Sequence, residues 1–154
     1  MAVVRRTIHR PASEVFGALV DPYTYPHWLI GCREIRSVDD GWPAVGRAFH
    51  HRVGLIGPLA VADSAESLAV EPGRRLSMEV RFRPAGRGRV TFTVSTETAS
   101  DHPTALIEVD EVPIGLLAHL RPLLDLLIAH RNRGSMTNLA EYLEHGESRD
   151  AAVG

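Results

Sequence analysis

Six successive segments of alternating apolar and polar residues, followed by one long helical segment, constrain this chain more than any other feature. From Ile30 onward the hydrophobic period is two. Strands are expected near Arg33–Val38, Gly46–Val53, Leu59–Val70, Arg75–Arg83, Arg89–Thr98 and Thr104–Val112. The clearest sets Leu76, Met78, Val80 and Phe82 against Ser77, Glu79, Arg81 and Arg83. Val90, Phe92 and Val94 against Thr91, Thr93 and Ser95 repeat the pattern. One face is apolar and the other wet, as in an antiparallel sheet covered on one side. Asp39-Asp40-Gly41, Glu71-Pro72-Gly73, Pro84-Ala85-Gly86 and Asp101-His102-Pro103 supply the turns.

Only the segment Leu116–Leu143 is long enough to cover such a sheet. Plotted at about 100° per residue, Leu116, Leu120, Leu123, Leu124, Leu127 and Ile128 fall on one face, continued by Leu139 and Tyr142. Asp125, Ala129, Arg133, Met136 and Ala140 take the other side. Pro122 suits a helix start and Gly146 a stop, so the helix is expected over roughly residues 120–144. The fold class is therefore α+β: a strongly curved antiparallel sheet wrapped round a long C-terminal helix.

The N-terminal part precedes the strands. Ala2–His9 reads as a short strand, and Pro11 opens a helix that buries Val15, Phe16, Leu19 and Val20. Asp21-Pro22 ends it, and Tyr23–Leu29 forms an aromatic-rich turn packed on that helix. Residues 2–145 read as a single domain and residues 146–154 as a disordered tail.

The helix face is interrupted by polar groups. Arg131 projects within roughly 20° of Leu120, and Ser135 within about 60°, with Gly134 beside them. Either Arg131 reaches out to an edge, or the helix covers a cavity with room for a polar group, because an unpaired buried charge is costly. In the last strand Ile107 and Val109 fix the inward parity, which carries Glu111 inward too. Glu111 and Arg131 thus form either a structural ion pair or the polar end of an apolar pocket. His50 and His51 are adjacent on a strand and point to opposite faces. With Phe49 and Val53 inward, His51 is inward as well, as a hydrogen-bonded core residue or as a base. Arg81, Arg83, Arg87 and Arg89 cluster round one hairpin, as a solvated face or an acidic-partner contact.

Composition limits the function classes. The net charge is −2, which offers no electrostatic footprint for nucleic acid. The single cysteine, Cys32, excludes an intrachain disulfide and a cysteine-based zinc cluster. His119 and His130 stand about 16 Å apart along the helix axis at 1.5 Å per residue, so no metal site is expected. No cofactor is expected either, and Gly86-Arg87-Gly88 lies in a hairpin and not in a dinucleotide loop. Ile114–Ala129 is broken by His119, Arg121 and Asp125, so membrane insertion is not expected. The N-terminus lacks the apolar run of a signal peptide, and a cytoplasmic protein, monomer or homodimer, is the expectation.

Pro11-x-x-Glu14-Val15-Phe16, Asp21-Pro22-x-x-Tyr25-Pro26-x-Trp28, Gly46-x-x-Phe49 and the closing helix with Arg131-Asn132 resemble the START-like superfamily. This is the polyketide cyclase/dehydrase and lipid-transport group (SRPBCC), and the resemblance covers residues 2–145. It implies a helix-grip fold with a cavity between sheet and helix for apolar or aromatic molecules. Its motifs serve the framework, so they specify the fold more than the function. The leading expectation is a binding module for a small hydrophobic or aromatic ligand. The expected ligand-binding residues are Trp28, Phe49, His51, Phe82, Phe92, Glu111, Leu124, Arg131 and Ser135. A second expectation is an aromatase/cyclase-type enzyme acting on a poly-β-keto or related carbonyl compound, with His51, Glu111 or Arg131 handling protons. A third is a protein-interaction domain using the arginine hairpin. No catalytic residue is assigned.

Overall fold

Alternation in the sequence becomes a seven-stranded antiparallel sheet in the computed structural model, which describes residues 2–54, 60–82, 86–97 and 102–151. The strands are β1 (Ala2–Ile8), β2 (Cys32–Val38), β3 (Ala48–Gly54), β4 (Ala60–Glu71), β5 (Arg75–Phe82), β6 (Gly86–Glu97) and β7 (Thr104–Ile114). Their order in the sheet is β1-β7-β6-β5-β4-β3-β2, so β2 to β7 form a meander and β1 adds to its far side. All six expected strands after residue 30 are present, as is the N-terminal one. Register shifts between Cys32 and Glu34, between Ile35 and Ser37, and between Ser67 and Ala69 mark bulges, which bend and twist a strand. In the turn from β4 to β5, Gly73 adopts a φ of 78°, a left-handed conformation that favours glycine, and Arg74 N–H closes the turn on Glu71 O at 3.0 Å.

Two helices pack on the concave face. Helix α1 (Ala12–Val20) has Pro11 at its N-cap and buries Val15, Phe16, Ala18 and Leu19. A 3-10 turn over Pro22–His27 follows, its start held by Asp21, whose carboxylate accepts from Tyr23 N–H at 3.1 Å. The Tyr25 hydroxyl donates to Leu19 O at 2.6 Å, which fixes this turn on the end of α1. Tyr25 also sits edge-on to Trp28 and Phe49, with ring centroids 4.8 and 5.3 Å apart, so the aromatic segment packs between helix and sheet.

After β7 a 3-10 turn over Gly115–Leu120 leads into α2 (Arg121–Ala151), which lies against β1 and β7. This is the curved sheet and long C-terminal helix of a helix-grip fold. The helix runs through Gly146.

The face that α2 buries is not the one expected. Leu120, Leu123 and Leu127 are 55–62% exposed and Leu124 is half-buried, while Leu139, expected to continue that face, is buried. Leu116 lies outside the residues whose side chains are described. The buried stripe is Asn132, Ser135, Met136, Leu139 and Ala140, so Met136 and Ala140 face inward, not outward. Relative to the leucine face this stripe is turned by roughly 130°. The C-terminal half of the helix sets the rotation, because it is the half that crosses the sheet. There Ser135 and Ala140 are small enough for close approach, while Met136 and Leu139 fill the space between them.

Candidate functional site

The polar group at the centre of the fold begins on β7. Parity along that strand buries Ala105, Ile107 and Val109, and it carries Glu111 inward to 2% exposure. A carboxylate there requires partners. Asn132 Nδ2 donates to Glu111 Oε2 at 2.9 Å, and Arg131 Nη2 lies 3.6 Å from Oε1. The first contact is a hydrogen bond; the second is an ion pair too long to count as one. Two consecutive residues of α2 therefore clasp one carboxylate of β7. Arg131 sits at the edge of the buried stripe, its side chain 31% exposed, so it reaches Glu111 while remaining in contact with solvent.

The next turn of α2 holds a loop. Ser135 Oγ accepts from Ile30 N–H at 3.0 Å, and Asn138 Nδ2 contacts Trp28 O at 3.4 Å. Gly134 completes the seat: a Cβ placed there would stand 2.5 Å from Ile30 Cδ1. The absent side chain leaves room for the tip of Ile30 where the Trp28–Gly31 loop lies on the helix.

Between that loop, α2 and strands β3 to β6 lies a cavity of about 50 Å³. At about 10–15 Å³ for each water-sized site, it has room for a few waters. Its wall is mainly apolar: Leu29, Ile30, Cys32, Val53, Met78, Val80, Val90 and Met136, with the rings of Tyr25, Phe49 and Phe92. The polar lining comes from His51, Arg131 and Asn132. Burial raises the Cys32 thiol to about 11, so it enters this wall as a neutral, weakly polar group.

His51 is 5% exposed and stands opposite Asp63 of β4, itself 6% exposed. Burial lowers the imidazole to a pKa of about 4; Arg36, His50 and Arg131 push the same way and Asp63 opposes them. His51 is therefore neutral at physiological pH. Its Nδ1 has no hydrogen-bond partner in the protein among the described residues.

Of the nine residues expected to bind ligand, Phe49, His51, Phe92 and Arg131 line the cavity. Glu111 stands behind them, reached through Arg131 and Asn132. Ser135 holds the loop, and Trp28, 1% exposed, packs edge-on to Phe92 in the core next to the cavity. Leu124 belongs to the N-terminal half of α2 and is not among the lining residues. The side chain of Phe82 lies outside the described residues. Sequence reasoning missed Asp63, which sits in the run of mostly small residues Ala60–Ala65 where no strong alternation marks the inward side. It also passed over Asn132, although the residue adjoins Arg131. In the arginine hairpin, Arg87 Nη1 pairs with Glu79 at 3.0 Å, and Arg83 lies outside the described residues. Among the described residues no three His, Cys, Asp or Glu side chains gather as a metal site, and no helix is long and apolar enough to cross a membrane.

No protein-family model matches the sequence, and no curated protein matches it. Solved structures do match the fold. Protein NE0264 from Nitrosomonas europaea is 17% identical with a TM-score of 0.71, over 95% of this chain and 95% of that one. CalU16 from Micromonospora echinospora is 20% identical with a TM-score of 0.61, over 92% of this chain and 72% of that one. DynU16, a protein of the dynemicin biosynthetic locus, is 20% identical with a TM-score of 0.61, over 94% of this chain but 47% of its own length. At these identities the likeness is one of fold.

Proposed function

We propose that this chain is a START-like binding module that holds a small hydrophobic or aromatic molecule between the sheet and α2. The observation that carries the reading is the cavity itself: apolar walls, three aromatic rings, and polar groups confined to His51, Arg131 and Asn132. Such a distribution holds a ligand by its apolar body and orients it by a few polar contacts. Met78 and Met136, both flexible, allow the wall to adapt to a ring larger than the cavity of about 50 Å³. Native mass spectrometry of freshly purified protein, followed by extraction, tests the proposal. A bound small molecule that is lost when Phe92→Ala or Phe49→Ala is introduced is the expected result. Protein that carries none, and gains no thermal stability from any of a panel of one- and two-ring aromatics, would overturn it.

A second reading, an aromatase/cyclase-type enzyme, draws on His51 at the cavity wall, whose unprotonated ring can accept a proton from a carbon next to a carbonyl, although a pKa of about 4 makes it a weak base. The small volume weighs against an extended poly-β-keto chain. Incubation with a short β-diketone, with cyclised or dehydrated product sought by mass spectrometry in wild type and His51→Gln, separates the two.

A further inference from the structure

Resting on the binding reading above, we infer that the ligand is an uncharged hydroxy-aromatic molecule of about one ring, whose hydroxyl meets His51 Nδ1 while the ring lies among Phe49, Phe92 and Met78. Three observations support this. His51 lines the cavity and is 5% exposed, so the residue is shielded from bulk water. Nδ1 has no hydrogen-bond partner in the protein among the described residues, although a buried nitrogen of this kind ordinarily has one. Burial keeps it a neutral imidazole, which carries one donor and one acceptor. A hydroxyl both donates and accepts, so it satisfies Nδ1 in either tautomer.

The charge of the surroundings disfavours an acid. Arg131, the cation on the cavity wall, is already engaged with Glu111, and the wall is backed by two buried carboxyl groups, Glu111 and Asp63. A ligand carboxylate would meet an uncharged His51 and a committed Arg131. It would lose its hydration without gaining a full counter-charge. A purely apolar ring would fit the walls but leave Nδ1 unsatisfied. A phenol meets both conditions.

Phenol, toluene and benzoate at neutral pH are the probes, titrated into the full chain by calorimetry. Wild type is expected to bind phenol at least tenfold more tightly than toluene or benzoate. In His51→Phe, which keeps a ring in the wall, the phenol-to-toluene ratio is expected to fall close to one. Toluene binding as tightly as phenol in wild type, benzoate binding as tightly as phenol, or an unchanged ratio in the variant would each overturn this inference while leaving the binding reading intact. Binding of none of the three would sink both. Should His51→Phe fail to fold, nitrogen NMR of wild type decides the matter. Phenol, and not toluene, should move the His51 ring-nitrogen resonances, and equal or absent shifts overturn the inference.

Discussion

Asn132 and Glu111 are joined by a hydrogen bond between α2 and the sheet's interior, 2.9 Å from Nδ2 to Oε2, while the neighbouring Arg131 stands 3.6 Å from the other carboxylate oxygen. An uncharged amide is thus the closer partner of the buried carboxylate, and the guanidinium the outer one. The order of the two contacts decides which substitution should cost more. Asn132→Leu removes the bond and leaves one carboxylate oxygen without it, at a cost of about 2–3 kcal/mol. Solvent reaches only the arginine end of the other pair and Asn132 stays on the carboxylate, so Arg131→Met is expected to cost about 1–2 kcal/mol. Urea unfolding of both variants checks the ranking, and a larger loss from Arg131→Met would show that the charge pair dominates.

Burial of neutral His51 makes stability depend on pH. Its pKa is lowered to about 4 in the fold, against about 6.5 in the unfolded chain, so the unfolded state binds the proton more readily. The contribution is fully present above about pH 6.5 and is lost as pH falls from there to about 4, with an upper size of about 3 kcal/mol. Unfolding free energies at pH 7.5 and 5 should therefore differ by less in His51→Phe than in wild type. An identical pH dependence would contradict the burial of a neutral imidazole at this position.

The rotation of α2 has a direct test. Leu123 and Leu127 are 62% and 60% exposed, so Leu123→Gln and Leu127→Gln should each change stability by only about 0.5 kcal/mol. Leu139 is fully buried, at 0% exposure, and Leu139→Ala should cost about 2–5 kcal/mol. Comparable losses at all three positions would restore the leucine face to the core.

How far the sequence was legible follows from the same elements. Strand alternation is a local signal, and it placed every strand, the inward side of Phe49, His51 and Phe92, and the burial of Glu111. The helix was legible as a helix but not in its rotation. Residues 120–127 are rich in leucine, yet the buried stripe is set further along by Asn132, Ser135, Met136 and Ala140, which carry little hydrophobic weight in a periodicity count. Asp63 was hidden for another reason. Its inward direction depends on register with His51 across two strands, a relationship that no single segment contains.

The Gly134 seat predicts a graded response. Gly134→Ala replaces a poor helix former and pushes only the tip of Ile30, which is 44% exposed and free to swing. The helix gain of up to about 1 kcal/mol should roughly offset the displacement. Gly134→Leu should lift the loop, break the Ile30–Ser135 hydrogen bond and destabilise by about 1–3 kcal/mol. Thermal melts of the two variants make the comparison, and equal melting points would mean that the loop does not depend on the glycine.

The pairing of β1 with β7 bears on how the chain is made. Ala2 lies opposite Glu111 and Ile8 opposite Ala105, so β1 finds its place only after about a hundred further residues have followed. Until then β2 to β6 can zip up hairpin by hairpin through short turns, while Ala2–Ile8 waits without its neighbour. Helix α2, which rests on both β1 and β7, is synthesised later still. Strands β3 to β6 of the cavity wall are thus laid down before α2, and the space between them is bounded only once Arg131, Asn132 and Met136 have been made.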